Sequence, residues 1–374
     1  RGAVRALAPR RPAAALPGLL DAVRARDDRL RSAALGALVG WPSARVHTFF
    51  LEALESNYPP LAQLDRHLAR VEQPLDPASQ RRLATALLKL TGANGWRGAA
   101  RANRLVRHLE PKVAVPFLLE ALRLWVERER EGRGSRRIRQ ELVDHLRRIS
   151  GRSLGTTCAD WTGWWRSVCD GRIPLADEVP ETQLSTASFF GLRPISDRVV
   201  FVLDRSGSMK EPFHADGKRD KPAVQNRYDE AVEQVFRYLT AAGDETRFGL
   251  VVFSDGADRW QRELEAATPG AIDQARRWLE RREPAGGTHL RPGIDLACQV
   301  DRDGAIDLET LEADTIVVLC DGATAEGPAW VDPWLTRHAA AELVFHGVLI
   351  QTAGDGTLRA LSEGTGGDFI VVGR

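Results

Sequence analysis

The sequence predicts two domains of different class: an all-α first half, then an α/β half built on a doubly wound, mostly parallel sheet. Three observations carry this expectation. Apolar residues repeat at helical spacing through residues 1–150, and from residue 198 short apolar runs alternate with amphipathic stretches. Charge divides at the same place. Residues 1–150 hold 28 Lys and Arg against 15 Asp and Glu, a balance of +13; the remainder holds 24 against 36, a balance of −12, in a 374-residue chain of formal net charge +1. So steep an asymmetry fits separate partners for the two halves, or a basic half that docks on an acidic one.

The first half, 1–155, opens with two apolar-periodic runs on either side of Arg26-Asp27-Asp28: Leu19, Leu20 and Val23, then Leu30, Ala34, Leu35 and Leu38. An amphipathic helix follows at 79–92, closed by Gly92. A further pair spans 114–126, opened by Pro116, and 138–150, with Leu142, Leu146 and Ile149 on one stripe. Helix pairs of this kind cannot bury their apolar faces alone and must stack. Pro17 with Leu19 and Leu20, an aspartate turn, then Arg31 with Ala33 and Ala34 resemble a HEAT-type helical repeat.

Residues 156–196 change character. Trp161, Trp164 and Trp165 stand at i, i+3 and i+4, so a short helix sets all three rings on one face. An anchor packing the two domains together is the expected use; a platform for bases or a peptide is the rival. Residues 172–185 read as linker and 187–192 as a short strand or a plug against the next domain. The α/β half, 197–374, then runs as strands at 198–204, 247–255, 314–322, 342–350 and 368–373. Between them lie helices at 227–243, 270–282, 291–300, 333–341 and 356–367.

The first of these strands, RVVFVLD, ends in Asp204, and Ser206 and Ser208 follow at alternate positions. Open α/β sheets bind ligands at the carboxyl ends of their strands. An extended loop points alternate residues the same way, so the three oxygens converge, with Gly207 permitting a tight path between the serines. Hard oxygen donors suit a hard cation, Mg²⁺ first and Mn²⁺ or Ca²⁺ next. Further oxygens stand at Thr288, in a glycine-rich loop before a helix, and at Asp321, at the tip of a later strand.

This set, DxSxS with a later loop threonine and an Asp-Gly strand end, resembles the metal-ion-dependent adhesion site (MIDAS) of von Willebrand factor type A domains. The likeness spans about 197–374, including FGLVVFSD and the closing LSEGTGGDFIVVG. The resemblance implies a Rossmann-like fold, hydroxyl ligands from Ser206, Ser208 and Thr288, and Asp204 and Asp321 on the ion directly or through water. It also implies one coordination position open to a partner's acidic side chain. Arg205 and His289 depart from the family's usual residues and bear on what approaches the ion; His214, in a long loop at 210–226 that also carries Asp216, is expected to shape partner access. The segments SDRVVFVLDRSGSM and ISGRSLG…WTGWW are similar to an uncharacterised bacterial family that joins helical repeats to a type A domain.

Other chemistry has no foothold. There is no GxxxxGK[ST] phosphate loop and no HExxH. Cys158, Cys169, Cys298 and Cys320 lack metal-ligand spacing and imply no disulfide framework, which leans towards a reducing, cytoplasmic setting. Met209 is the only methionine, so no initiator is present and a removed leader is compatible with the chain. The expectation is a non-enzymatic protein that binds an exposed Asp or Glu of a protein ligand. The alternatives are RNA binding through the basic half, with a Ro-autoantigen-like architecture, and service as an adaptor for an AAA+ ATPase.

Overall fold

The structure, a computed structural model, describes residues 12–25, 27–54, 60–71, 75–93, 95–152, 154–175, 190, 196–214, 226–351 and 354–373. Most of the linker and short strand read at 172–192, and residues 215–225 with Asp216, lie outside them. The chain divides into two compact units, Arg1–Thr182 and Gln183–Arg374.

The first unit is helical. Its helices are α1 (Leu16–Ala22), α2 (Asp28–Leu38), α3 (Ala44–Ala53), α4 (Leu61–Arg70), α5 (Pro77–Ala93), α6 (Gly95–Leu105), α7 (Pro111–Arg130), α8 (Arg136–Ser150) and α9 (Cys158–Cys169). Consecutive helices pack as neighbours at α1–α2, α5–α6 and α7–α8, and one apolar core runs through the unit. Two expected boundaries move. Gly92 lies within α5, because the helix runs on to Ala93. Pro111, not Pro116, opens α7, where its missing N–H costs nothing; Pro116 sits inside the helix.

The tryptophan helix belongs to this core. Trp161 and Trp164 are buried, their rings edge to face at 6.0 Å, and Trp165 packs against the same cluster. The Trp161 indole N–H donates to the Gly155 carbonyl at 2.8 Å, so burying the ring leaves no orphaned donor. Helix α9 lies on α7. The rings therefore close the helical core rather than offering a platform for bases.

The second unit is an open sheet with helices on both faces. Its elements are β1 (Arg198–Asp204), α10 (Arg227–Ala242), β2 (Arg247–Phe253), β3 (Ala257–Arg259), β4 (Glu265–Ala266), α11 (Pro269–Glu280), α12 (Leu290–Ala297), β5 (Thr315–Cys320), α13 (Val331–His338), β6 (Val344–Ile350), α14 (Thr357–Thr365) and β7 (Phe369–Val372). The strand order is β3-β2-β1-β5-β6-β7, with β4 also on β2. Strands β1, β2, β5, β6 and β7 pair in parallel; β3 and β4 are antiparallel additions at one edge that the sequence pattern did not reveal.

Period-two alternation assigns each central strand to two cores. Val199, Phe201 and Leu203 face Val235, Phe236 and Leu239 of α10 and Leu279 of α11. Val200 and Val202 face Leu290 and Ile294 of α12, with Ile316 and Val318 on the same side. The chain leaves β1 for β2 on one side, and β5 lies on the other. The carboxyl ends of β1 and β5 thus flank the crevice where strand order reverses, the usual ligand position in such sheets.

Candidate metal centre

Strand β1 delivers Asp204 to that crevice fully buried. Beyond it the chain does not stay extended. Ser206 is extended (φ −60°, ψ 166°), but Gly207–Lys210 form a 3₁₀ turn, with Met209 N–H donating to Ser206 O at 3.1 Å. Convergence of the oxygens therefore comes from the turn, not from strand alternation: the turn brings Ser208 Oγ to 3.1 Å from Ser206 Oγ and lets it donate to Asp321 Oδ1 at 2.8 Å. Gly207 has an ordinary role here. Its N–H donates to Gly286 O at 3.0 Å, and an added Cβ would stand 3.6 Å from that oxygen, a normal contact.

Thr288 arrives on the loop between α11 and α12. That loop is sewn to both others, through the Gly207 N–H to Gly286 O bond and through Ala325 N–H to Thr288 O at 2.9 Å, Ala325 lying just past Asp321. Two glycines allow the approach. Gly286 takes φ +83°, and a Cβ there would collide with the Asp255 carboxylate; a Cβ on Gly293 would sit 3.1 Å from Phe253 Cβ and 3.3 Å from Val202 Cγ1. Helix α12 rests directly on β1 and β2 for that reason, and it sets the position of the Thr288 loop.

The three residues named as partner contacts lie differently. Arg205 donates through Nη1 to Glu283 O at 3.3 Å and, with Asp255 and Asp258, lines a cavity of about 300 Å³ beside the Ser206 turn. His289 stands at the start of α12, its Nδ1 3.5 Å from Glu326 Oε1. His214 has its carbonyl against Gly373, just past β7, where the Gln351 side chain that accepts from Arg227 also lies.

Electrostatics single out Asp204. Its Oδ1 accepts the Ser206 N–H at 2.7 Å and its Oδ2 the Cys320 thiol at 3.1 Å, both neutral donors. Burial pushes its carboxyl up to about 6, because the anion loses water and the neutral hydrogen bonds only partly offset that loss. Asp321, also buried, divides its oxygens: Oδ1 takes Ser208, and Oδ2 takes the Arg227 guanidinium at 2.7 Å.

Among the described residues no three His, Cys, Asp or Glu side chains gather into a metal cluster. The set at the crevice has two carboxylates and leans on hydroxyls. That donor chemistry fits a hard divalent cation, and a buried carboxylate held by neutral donors gains from one.

Residues 199–323 match the family model described as von Willebrand factor type A domain. Residues 199–323 of the second unit thus carry a von Willebrand factor type A domain. Curated relatives match over part of the chain. The chain is 28% identical over 138 residues to inter alpha-trypsin inhibitor, heavy chain 4, of Mus musculus, and 30% identical over 139 residues to inter-alpha-trypsin inhibitor heavy chain H2 of Mesocricetus auratus. Each match covers 36% of this chain and 13% of the relative, so the chain spans about an eighth of those proteins. Among solved structures, von Willebrand factor type A from Catenulispora acidiphila is 19% identical, covering 46% of this chain and 38% of that one with a TM-score of 0.36. Proximal thread matrix protein 1 from the mussel byssus, described with a zinc-occupied MIDAS motif, is 17% identical, covering 46% and 41% with a TM-score of 0.32.

The type A domain also contains site residues that motif reading missed. Cys320 touches Asp204, and Arg227, Glu211 and Gln351 form a polar cluster against Asp321. Arg227 left one trace in the sequence: it is the first residue of α10, right after the Asn226 cap, where the helix dipole disfavours a cation. No described helix is long and apolar enough to cross a membrane.

Proposed function

We propose that the protein is a metal-dependent binding module, not an enzyme, and that its type A domain captures an acidic side chain of a protein ligand. The observation that carries this reading is the meeting of Asp204, Ser206, Ser208 and Asp321 within hydrogen-bond reach at the β1–β5 crevice, with the Thr288 loop tied to both sides. Type A domains commonly serve protein interaction, which supports the same reading.

Ser206, Ser208 and Thr288 would offer hydroxyls, and Asp204 and Asp321 carboxylates, to Mg²⁺, with Mn²⁺ or Ca²⁺ as substitutes. Bound there, such an ion supplies a positive charge with an open position for a carboxylate. The chain's own part is to hold the donors. The 3₁₀ turn fixes the two serines, Gly293 lets α12 set the Thr288 loop, and burial keeps water from Asp204. Arg205, which lines the same cavity as Gly286, and His289, which lies beside Gly287, would meet the partner around its acidic residue. Capture rather than turnover is the proposed outcome.

The test is immobilised Glu- and Asp-containing peptides beside their Gln and Asn counterparts. Retention of the protein by the acidic peptides in Mg²⁺, its loss in chelator and the absence of retention by the amides are expected. Retention indifferent to chelator would defeat the proposal. RNA remains a distinct ligand for the basic residues 1–150, and salt-dependent binding of RNA by full-length protein would bring it forward.

A further inference from the structure

The charged group nearest the proposed ligand set has no part in the motif. Arg227, at the head of α10, is buried, with 8% of its side chain exposed. Its fork is fully directed: Nη1 donates to Asp321 Oδ2 at 2.7 Å, Nη2 to Glu211 Oε2 at 2.8 Å, and Nε to Gln351 Oε1 at 3.1 Å. Its backbone N–H donates to Glu211 O at 3.0 Å. One guanidinium thus joins the 3₁₀ turn after Ser208, the tip of β5 and the tip of β6. Arginine suits this because its planar fork meets three acceptors in fixed directions. Nothing in the helix asks for it, since a cation in the first turn opposes the dipole. The position answers to Asp321.

We infer that Arg227 is the resident counter-cation of the Asp321 carboxylate and sets how strongly the crevice holds a divalent ion. The inference rests on the metal reading above. In the ion-free state a buried Asp321 without a positive partner would be costly, and Arg227 supplies one, so the fold does not depend on the ion. The same positive charge opposes a second cation arriving on the other side of that carboxylate. It also engages Oδ2, leaving Oδ1, on the Ser208 side, to face the hydroxyls. Among the buried groups, two carboxylates less one guanidinium leave a single negative charge under the ion, Glu211 being 62% exposed, so the buried part of the loaded site keeps a positive surplus. That surplus is what an acidic partner side chain would neutralise. Arg227 is a positioning residue in this scheme and not a ligand.

The two roles, brace and counter-charge, predict different things. A brace alone would weaken the fold equally with and without the ion. A counter-charge makes stability and ion affinity move in opposite directions when it is removed, by thermodynamic linkage. The experiment is Mn²⁺ titration calorimetry and thermal unfolding, metal-free and in Mn²⁺, on full-length parent, Arg227→Gln, Arg227→Lys and the double variant Arg227→Gln/Asp321→Asn.

For Arg227→Gln the expected results are a lower metal-free midpoint, a larger rise in Mn²⁺ than the parent shows, and Mn²⁺ affinity about tenfold tighter, the scale of one unit charge a few ångströms away. Arg227→Lys, which keeps the charge, should hold Mn²⁺ affinity within about threefold of the parent. Equal or weaker Mn²⁺ binding by a folded Arg227→Gln would overturn the inference and leave the metal reading standing. Should Arg227→Gln fail to fold without the ion, recovery of folding in Mn²⁺ or in the double variant supports the inference, and failure in both overturns it. No Mn²⁺ uptake by the parent removes the metal reading itself, and the inference with it.

Discussion

Asp204 is the residue on which the site turns. Its carboxyl is raised from the ordinary aspartate value to about 6 by burial. A carboxyl whose folded pKa exceeds its unfolded one stabilises the fold where it is protonated. That contribution is complete below pH about 4 and lost as pH rises through about 6. At neutral pH the ion-free protein therefore carries a buried anion at a cost on the order of 3 kcal/mol. Metal-free Asp204→Asn should unfold at a higher urea concentration than the parent at pH 7 to 8, with the gap closing towards pH 4. A gap that does not change with pH would assign the cost to packing instead. The same buried anion is what a divalent ion would relieve, so stability and ion binding draw on one side chain.

At the scale of elements, the site depends on how closely α12 and the 3₁₀ turn approach the strand ends. Gly293→Ala puts a methyl 3.1 Å from Phe253 Cβ and should lift α12 from β1 and β2. The expected cost is about 1–3 kcal/mol in denaturant unfolding, the usual range for overpacking a core. Gly207→Ala meets only a 3.6 Å contact and should change the unfolding midpoint little, although the sequence suggests that the glycine permits a tight path between the serines. In the first unit, Trp161→Ala should cost about 3–5 kcal/mol, since the ring is fully buried and its N–H is satisfied inside the same core.

These elements also show what the sequence could reveal. The apolar runs of β1, β2, β5 and β6 were legible because a strand buried on both faces is apolar throughout. The meeting of Asp204, Ser206, Ser208 and Asp321, with the Thr288 loop beside them, was legible because oxygen-bearing residues sit oddly at strand ends. The short β3 and β4 were not: two or three residues show no periodicity, and their pairing is set by β2. The 3₁₀ turn was hidden because its i to i+3 bonding leaves no apolar pattern. Arg227 was hidden because its partners lie 16, 94 and 124 residues away, and only the fold brings them together.

At the scale of the whole chain, the two units carry separate cores, one in the helical unit and one on each face of the sheet in the other. Calorimetric unfolding should resolve two transitions, and Mg²⁺ or Mn²⁺ should raise the one belonging to the type A domain by mass action. Trp161→Ala should lower the other. A cation that moved neither transition would separate the domain's fold from any metal-dependent role. The central claim is ion binding at the Asp204 cluster, and isothermal titration of Mg²⁺ and Mn²⁺ into metal-stripped parent and Asp204→Ala tests it most directly. Saturable uptake of one ion by the parent and none by the variant is the expected result. No uptake by the parent, or equal uptake by both, would contradict it.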